Sequence, residues 1–305
     1  MNTTFTLTAA DQCAIHCHKW TADAPKAVVQ IIHGGAEHAG RYAALADRLC
    51  SNRYSVYAED HRGHGVTGQL NSKLGDMGEP NAFDRVCDDV CLLTNTIREE
   101  NPGLPVILLG HSLGSLVTQK LLLNHSHDYS AAILSGSPDI LSVAAGSGLV
   151  DAEAERLGRG KISDALEAGI VEGFNAAFPD ATTPSDWLSR DPDQVQRYVN
   201  DPLCGYPLCV GVWQDLIAAM LVTAERDAVA AVRVDLPIYI FSGEADPAHN
   251  NWGSIKRLEG NYKAAGISDL TVRSYPGGRH EMLNEINSDV VMRDMLEWLE
   301  ERFGG

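Results

Sequence analysis

Apolar residues along the chain follow two alternating rhythms. Short apolar-rich runs occur at Ala27-Val-Val-Gln-Ile-Ile32, Tyr54-Ser-Val-Tyr-Ala58, Val106-Ile-Leu-Leu109, Ala131-Ala-Ile-Leu-Ser135 and Pro237-Ile-Tyr-Ile-Phe241, and a more polar one at Leu270-Thr-Val-Arg-Ser-Tyr275. Their length and β-branched content are those of strands, and the runs Ala27 to Ile32 and Val106 to Leu109 read as buried ones. Between them, apolar positions step by three and four. Phe83, Val86, Val90, Leu93 and Ile97 share one face of a predicted helix from Ala82 to Glu100, stopped by Asn101-Pro-Gly. Similar steps predict helices from Tyr42 to Asn52, Trp213 to Val229, Trp252 to Ala265 and Ser288 to Arg302. At the N-terminal end, Phe5-Thr-Leu-Thr and Cys13-Ala-Ile-His-Cys-His-Lys-Trp20 alternate around Ala-Ala-Asp-Gln, which predicts an antiparallel hairpin. The alternation of strand and helix implies an α/β fold: a mostly parallel sheet with helices on both faces.

The rhythm changes from about Pro138 to Gly211. No buried strand is predicted there, only short helical patches at Ala152 to Leu157 and Ser163 to Phe174. They are broken by Phe178-Pro, Thr183-Pro, Asp191-Pro, Asp201-Pro and Tyr206-Pro. Such a stretch is too long for a simple loop and reads as an inserted helical cap. The expected organisation is a core in two parts, 1–137 and 212–305, with the cap at 138–211. The cap carries Leu149, Val150, Ile170, Phe174, Phe178, Trp187 and Tyr198, some of which must face the core if the cap covers it.

Composition narrows the functions open to this fold. The chain has 305 residues and a net charge of −17, from 24 basic and 41 acidic side chains. That balance repels phosphate backbones and anionic lipid surfaces, so nucleic-acid binding is not expected. Seven cysteines without a Cys-x-x-Cys pair suggest neither a disulfide framework nor a zinc knuckle. They read as small buried residues in a reduced compartment. The first residues have no basic segment followed by an apolar one, and no apolar run approaches bilayer length. A cytoplasmic location without stable membrane insertion is the expectation. His16 and His18 share one face of the hairpin's second strand and could hold a metal. With no third ligand near them in sequence, they read as solvated residues of a sheet edge.

One stretch carries chemistry directly. The run Val106 to Leu109 ends in Gly110-His111-Ser112-Leu113-Gly114, and a helical pattern free of Pro and Gly follows at once. A serine between a buried strand and a helix sits on a tight turn, and glycines on both sides remove the Cβ atoms that would clash there. The hydroxyl is lifted out at the end of a strand, above a helix N-terminus. Such an elbow requires an acid and a histidine later in the chain, in that order. In a parallel sheet, ligands gather outside the carboxyl ends of the strands. Two strand-end loops supply the partners: Gly243-Glu-Ala-Asp246-Pro and Gly277-Gly-Arg-His280-Glu. Asp246 is preferred to Glu244 as the acid. His280 is preferred to His33, His61 and His64, which precede the elbow, and to His249, which lies close to Asp246 in sequence. His280 would take the serine proton, and Asp246 would orient and stabilise the imidazole. Leu113 N–H, at the helix N-terminus, and Gly35 N–H, after His33-Gly34, are the natural oxyanion donors. Glu37, Arg41 and the loop Asp60-His-Arg-Gly-His-Gly65 are expected to form a buried polar network bracing the oxyanion loop.

Five segments together extend this reading: His33-Gly-Gly-Ala-Glu-His-Ala-Gly-Arg-Tyr42, Asp60 to Gly65, Gly110 to Gly114, Gly243-Glu-Ala-Asp-Pro247 and His280-Glu-Met-Leu-Asn-Glu285. In order and spacing the chain resembles α/β-hydrolases of the monoacylglycerol lipase and lysophospholipase type, often grouped with serine aminopeptidase-like hydrolases. Thr67 stands where that family usually has serine, which preserves the hydroxyl. The resemblance implies the α/β-hydrolase fold, a triad of Ser112, Asp246 and His280, and an oxyanion hole at Gly35 and Leu113. It also implies cleavage of single-chain lipid esters with no metal and no cofactor. A short-chain carboxylesterase or another triad hydrolase, and a non-catalytic protein that holds a small apolar ligand, stay open as alternatives. The cap is the least motif-like region, and it sets acyl length and head group.

Overall fold

The computed structural model describes residues 2–78 and 81–304. Eight strands form one sheet: β1 Asn2–Thr8, β2 Ala14–Trp20, β3 Ala27–Ile32, β4 Tyr54–Glu59, β5 Val106–His111, β6 Ala131–Ser135, β7 Ile238–Gly243 and β8 Leu270–Tyr275. They lie in the order β1-β2-β4-β3-β5-β6-β7-β8. The hairpin is antiparallel, β2 pairs antiparallel with β4, and every later pairing is parallel.

Every residue of β3, β4, β5, β6 and β7 is buried, which is why these strands read as unbroken apolar runs. Alternate side chains feed two separate cores. Val28, Leu108, Ala132 and Ile240 pack on one face under the helices Ala82–Glu100 and Leu113–His125. Val29, Ile107, Ile133 and Tyr239 pack on the other under Ala43–Ser51 and Ser288–Phe303. Gln30 is a polar residue inside β3, and it is satisfied there. Its amide donates to the Val90 carbonyl at 2.9 Å and accepts from Thr94 Oγ1 at 2.7 Å.

The 102 residues between β6 and β7 hold no strand among the described residues. Short helices run Ile140–Ala144, Ser147–Leu157, Asp164–Leu166, Glu172–Asn175 and Pro192–Asn200, with a π-helical turn at Glu167–Val171. Asp191 caps the last of them, its carboxylate accepting from the Asp193 and Gln194 amides, and Pro192 opens the helix. The stretch Trp213 to Val229 is not one helix. It divides into Val210–Ala224 and Arg226–Val229 because Glu225 takes an extended conformation, with ψ of 128°. No helix among the described residues is long and apolar enough to cross a membrane. All seven cysteines are free.

Candidate active site

Ser112 sits where β5 passes into the helix Leu113–His125, with φ of 51° and ψ of −117°. For a residue other than glycine this is a strained conformation, costing roughly 1–3 kcal/mol. The two flanking glycines permit it through close approach. A Cβ on Gly110 would collide with the Gly114 carbonyl and Thr118 Oγ1, and one on Gly114 would collide with the Ile32 carbonyl. The serine amide is occupied by the Ser135 carbonyl at 2.9 Å, which ties the elbow to the end of β6.

Asp246 follows β7 and His280 follows β8. The two loops approach so closely that a Cβ on Gly243 would collide with the carbonyls of Gly278 and Arg279. Asp246 Oδ2 lies 2.9 Å from His280 Nδ1 and accepts from Ser242 Oγ at 3.2 Å, while Oδ1 accepts from Ala248 N–H at 2.8 Å. An ionised carboxylate can only accept, so Nδ1 carries the proton and Nε2 keeps its lone pair. Both side chains are buried. Burial opposes the charge on Asp246, yet His280 and the hydrogen bonds it accepts hold its pKa below the ordinary aspartate value. Burial likewise opposes a charge on His280, but Asp246 facing it, with Glu281 and Glu37 behind, raises its pKa above the ordinary histidine value. Gly136 makes room for the imidazole. At its φ of 56°, a Cβ would stand 3.3 Å from His280 Cε1 and 3.2 Å from His111 Cε1.

The remaining predicted residues, Gly35 and Leu113, line the same cavity as Ser112 and His280. Among the described residues neither backbone N–H has an acceptor within the protein. The direction of Gly35 N–H is set by His33. His61 N–H donates to His33 Nε2 at 3.0 Å, so the proton lies on Nδ1 and is given to the Gly34 carbonyl at 2.7 Å. Across a trans peptide the C=O and N–H point oppositely. Holding the Gly34 carbonyl therefore turns Gly35 N–H away from His33. Burial, with His61 and His64 alongside, holds His33 well below the ordinary histidine range, so it stays neutral.

Behind this loop lies the expected polar network. Glu37 accepts from Gly34 N–H at 2.6 Å, from Tyr42 Oη at 2.9 Å and from Arg41 at 2.6 Å. Asp60 accepts from Ala39 N–H at 2.9 Å and Val66 N–H at 2.8 Å. Two partners were not legible in the chain. Arg41 makes a two-pronged contact with Glu281, at 2.6 and 2.7 Å, joining the oxyanion loop to the residue after His280. Burial raises the Glu281 pKa and Arg41 lowers it, with a net position at about 2. Tyr198 Oη, from the segment between β6 and β7, donates to the Ala36 carbonyl at 3.0 Å. The acid next to His280 was the available signal for the first, and the second had none.

The cavity measures about 570 Å³, within the range of about 300–1,000 Å³ usual for ligand sites. Its floor is Gly35, Ser112, Leu113 and His280, and its walls include Leu116, Phe174, Phe178, Leu208, Leu216 and Met220. Trp187 leans on the histidine, with ring centroids 4.8 Å apart, and its carbonyl accepts from His280 N–H at 3.4 Å.

An eight-stranded, mostly parallel sheet with a serine elbow at the end of β5 and a helical insertion after β6 is the α/β-hydrolase fold. The chain belongs to the serine aminopeptidase S33 family, whose model matches residues 23–287. It is 32% identical over 283 residues to a monoacylglycerol lipase of Mycolicibacterium smegmatis, covering 92% of this chain and 90% of that protein. It is 27% identical over 302 residues to the monoglyceride lipase of Homo sapiens, covering 97% and 90% respectively. Among solved structures, a thermostable carboxyl esterase from Bacillus coagulans superposes with a TM-score of 0.91 at 23% identity, covering 99% of both chains.

Proposed function

We propose that this chain is a serine carboxylic-ester hydrolase that cleaves monoacylglycerol-like, single-chain lipid esters. The observation that carries the reading is the mostly apolar cavity lined by Ser112 and His280. A single acyl chain fits such walls, and the polar floor fits an ester carbonyl. The lipase relatives, matched over most of both chains, support the same substrate class. In this reading the segment 138–211 is the cap that covers the core parts 1–137 and 212–305.

The chemistry follows from the hydrogen-bonding roles. His280 Nε2 takes the proton of Ser112 as Oγ bonds to the ester carbonyl carbon. The carbonyl oxygen becomes an oxyanion facing the N–H groups of Gly35 and Leu113. As the C–O bond to the alcohol breaks, His280 returns its proton to the leaving oxygen, leaving an acyl-enzyme on Ser112. Water then gives a proton to His280 and attacks the acyl carbon, and the carboxylic acid departs as the serine hydroxyl is restored. One lost oxyanion donor typically costs about 10²–10³ in rate.

The test is a series of monoacylglycerols, lysophospholipids and aryl esters of increasing acyl length. The expected result is kcat/KM rising with acyl length and efficient monoacylglycerol cleavage. A maximum at acetate or butyrate with no monoacylglycerol turnover would replace this reading by that of a short-chain carboxylesterase.

A further inference from the structure

His16 and His18 do not lie at a sheet edge. β2 is the second strand, covered by β1 on one side and β4 on the other. His18 pairs with Ala58, and the ladder continues with Asp60 N–H donating to the His16 carbonyl at 2.9 Å. Residues directly opposite in a ladder point to the same face. His16, His18 and Asp60 therefore stand together on one face, with the small side chain of Ala58 opposite His18. One potential ligand atom from each of the three lies within 4.8 Å of the others.

His18 is the informative member. Both of its ring nitrogens are buried, and neither has a hydrogen-bond partner among the described residues. A neutral imidazole has one donor and one acceptor, and leaving both unmet inside a protein is unfavourable. The ring is held in place by stacking on Trp20, at 5.3 Å between centroids, and by an edge contact with His16 at 4.9 Å. Asp60 is already oriented by the amides of Ala39 and Val66, which donate to its carboxylate and would hold it in place as a ligand.

We propose that His16, His18 and Asp60 form a binding site for one divalent transition metal ion, zinc above all. Two imidazoles and one carboxylate suit Zn²⁺, Ni²⁺ or Cu²⁺ and not Mg²⁺ or Ca²⁺, which prefer all-oxygen sets. Bonds of about 2.0–2.1 Å to zinc place tetrahedral ligand atoms about 3.4 Å apart, so a modest side-chain rotation closes the site. The fourth position is left to solvent. The ion would clip the N-terminal hairpin to the loop that begins at Asp60, whose carboxylate also holds the start of the helical turn after His38. It would stand apart from the Ser112 cavity, whose lining includes none of the three.

The experiment is calorimetric titration of chelator-treated protein with ZnCl₂, on the full chain and on His16→Ala, His18→Ala and His125→Ala. His125 lies on the exposed end of its helix and controls for casual binding. One equivalent of zinc is expected, bound about tenfold or more weaker by each of the first two variants and unchanged in the third. A one-equivalent Cu²⁺ adduct should show two coordinated nitrogens by electron paramagnetic resonance. His16 is partly exposed, so His16→Ala keeps the test valid if His18→Ala fails to fold. Absence of zinc binding by the full chain, or equal affinity in His16→Ala, would overturn the proposal.

Discussion

At the scale of single residues, the site works through directions imposed on protons. The Asp246–His280 contact leaves the Nε2 lone pair free and raises the His280 pKa; in the proposed mechanism that lone pair is the base. A base must be neutral, so catalysis falls as pH drops through the His280 pKa. Because that pKa is raised, the acidic limb of kcat/KM should lie above the ordinary histidine value of about 6.5. Asp246→Asn should cut kcat by roughly 10⁴ and move any remaining limb downward. A pH–rate profile of both proteins checks this, and an acidic limb below 6 in the unaltered chain would speak against the assignment. Gly136 gives a second prediction at this scale. Gly136→Ala adds a methyl at positive φ against His280 and His111, so kcat should fall by at least tenfold with KM little changed. Steady-state kinetics with circular dichroism as a folding control decides it.

At the scale of elements, two loops and the helical insertion are tied together around one buried guanidinium. Arg41 sits between Glu37 of the oxyanion loop and Glu281 of the histidine loop, with its guanidinium 4.8 Å from the Tyr198 ring. Arg41→Met would leave two buried carboxylates unpaired. Removing one partner of such a set typically costs about 3–5 kcal/mol, which should lower the melting temperature by roughly 10 °C in a chain of this size. The pH dependence has a definite sign. The Glu281 pKa is depressed to about 2 from 4.5, so its contribution is present above 4.5 and is lost as pH falls through the folded value. Thermal melts at pH 7 and pH 3 should therefore differ less for Arg41→Met than for the unaltered chain. Legibility in the sequence divides along the same line. The central strands are readable because both faces are buried, and Ser112 and Asp246 because each follows such a strand; His280 follows β8, the partly exposed edge strand, and is readable from its place after the elbow and the acid. The Arg41–Glu281 pair spans 240 residues and is set by how β3 and β8 end at one rim of the sheet, which no local pattern encodes. Which hairpin strand faces the sheet is likewise a tertiary matter. That is why His16 and His18, placed at an edge by their alternation, turn out to lie inside it.

At the scale of the whole molecule, the sheet divides the labour between its two ends and its insertion. Two cores on opposite faces make a rigid platform, and the loops at the carboxyl ends of β3, β5, β7 and β8 carry the reactive groups. The insertion after β6 supplies cavity walls and also clamps the floor. Its Leu188 carbonyl accepts from Glu281 N–H at 2.7 Å, and Gly205 N–H donates to the Ala36 carbonyl at 2.9 Å. In the proposed mechanism, substrate choice and oxyanion geometry are thus built from the same segment. Changes in the insertion should alter kcat as well as chain-length preference.

The most direct measurement compares the unaltered chain with Ser112→Ala in two readouts: monooleoylglycerol hydrolysis, and intact mass after exposure to a fluorophosphonate. Turnover and a single covalent adduct are expected in the first protein. In folded Ser112→Ala no adduct and a loss of turnover on the order of 10⁶-fold are expected. A folded Ser112→Ala that hydrolyses the ester within about tenfold of the unaltered chain would contradict the role of Ser112 as nucleophile.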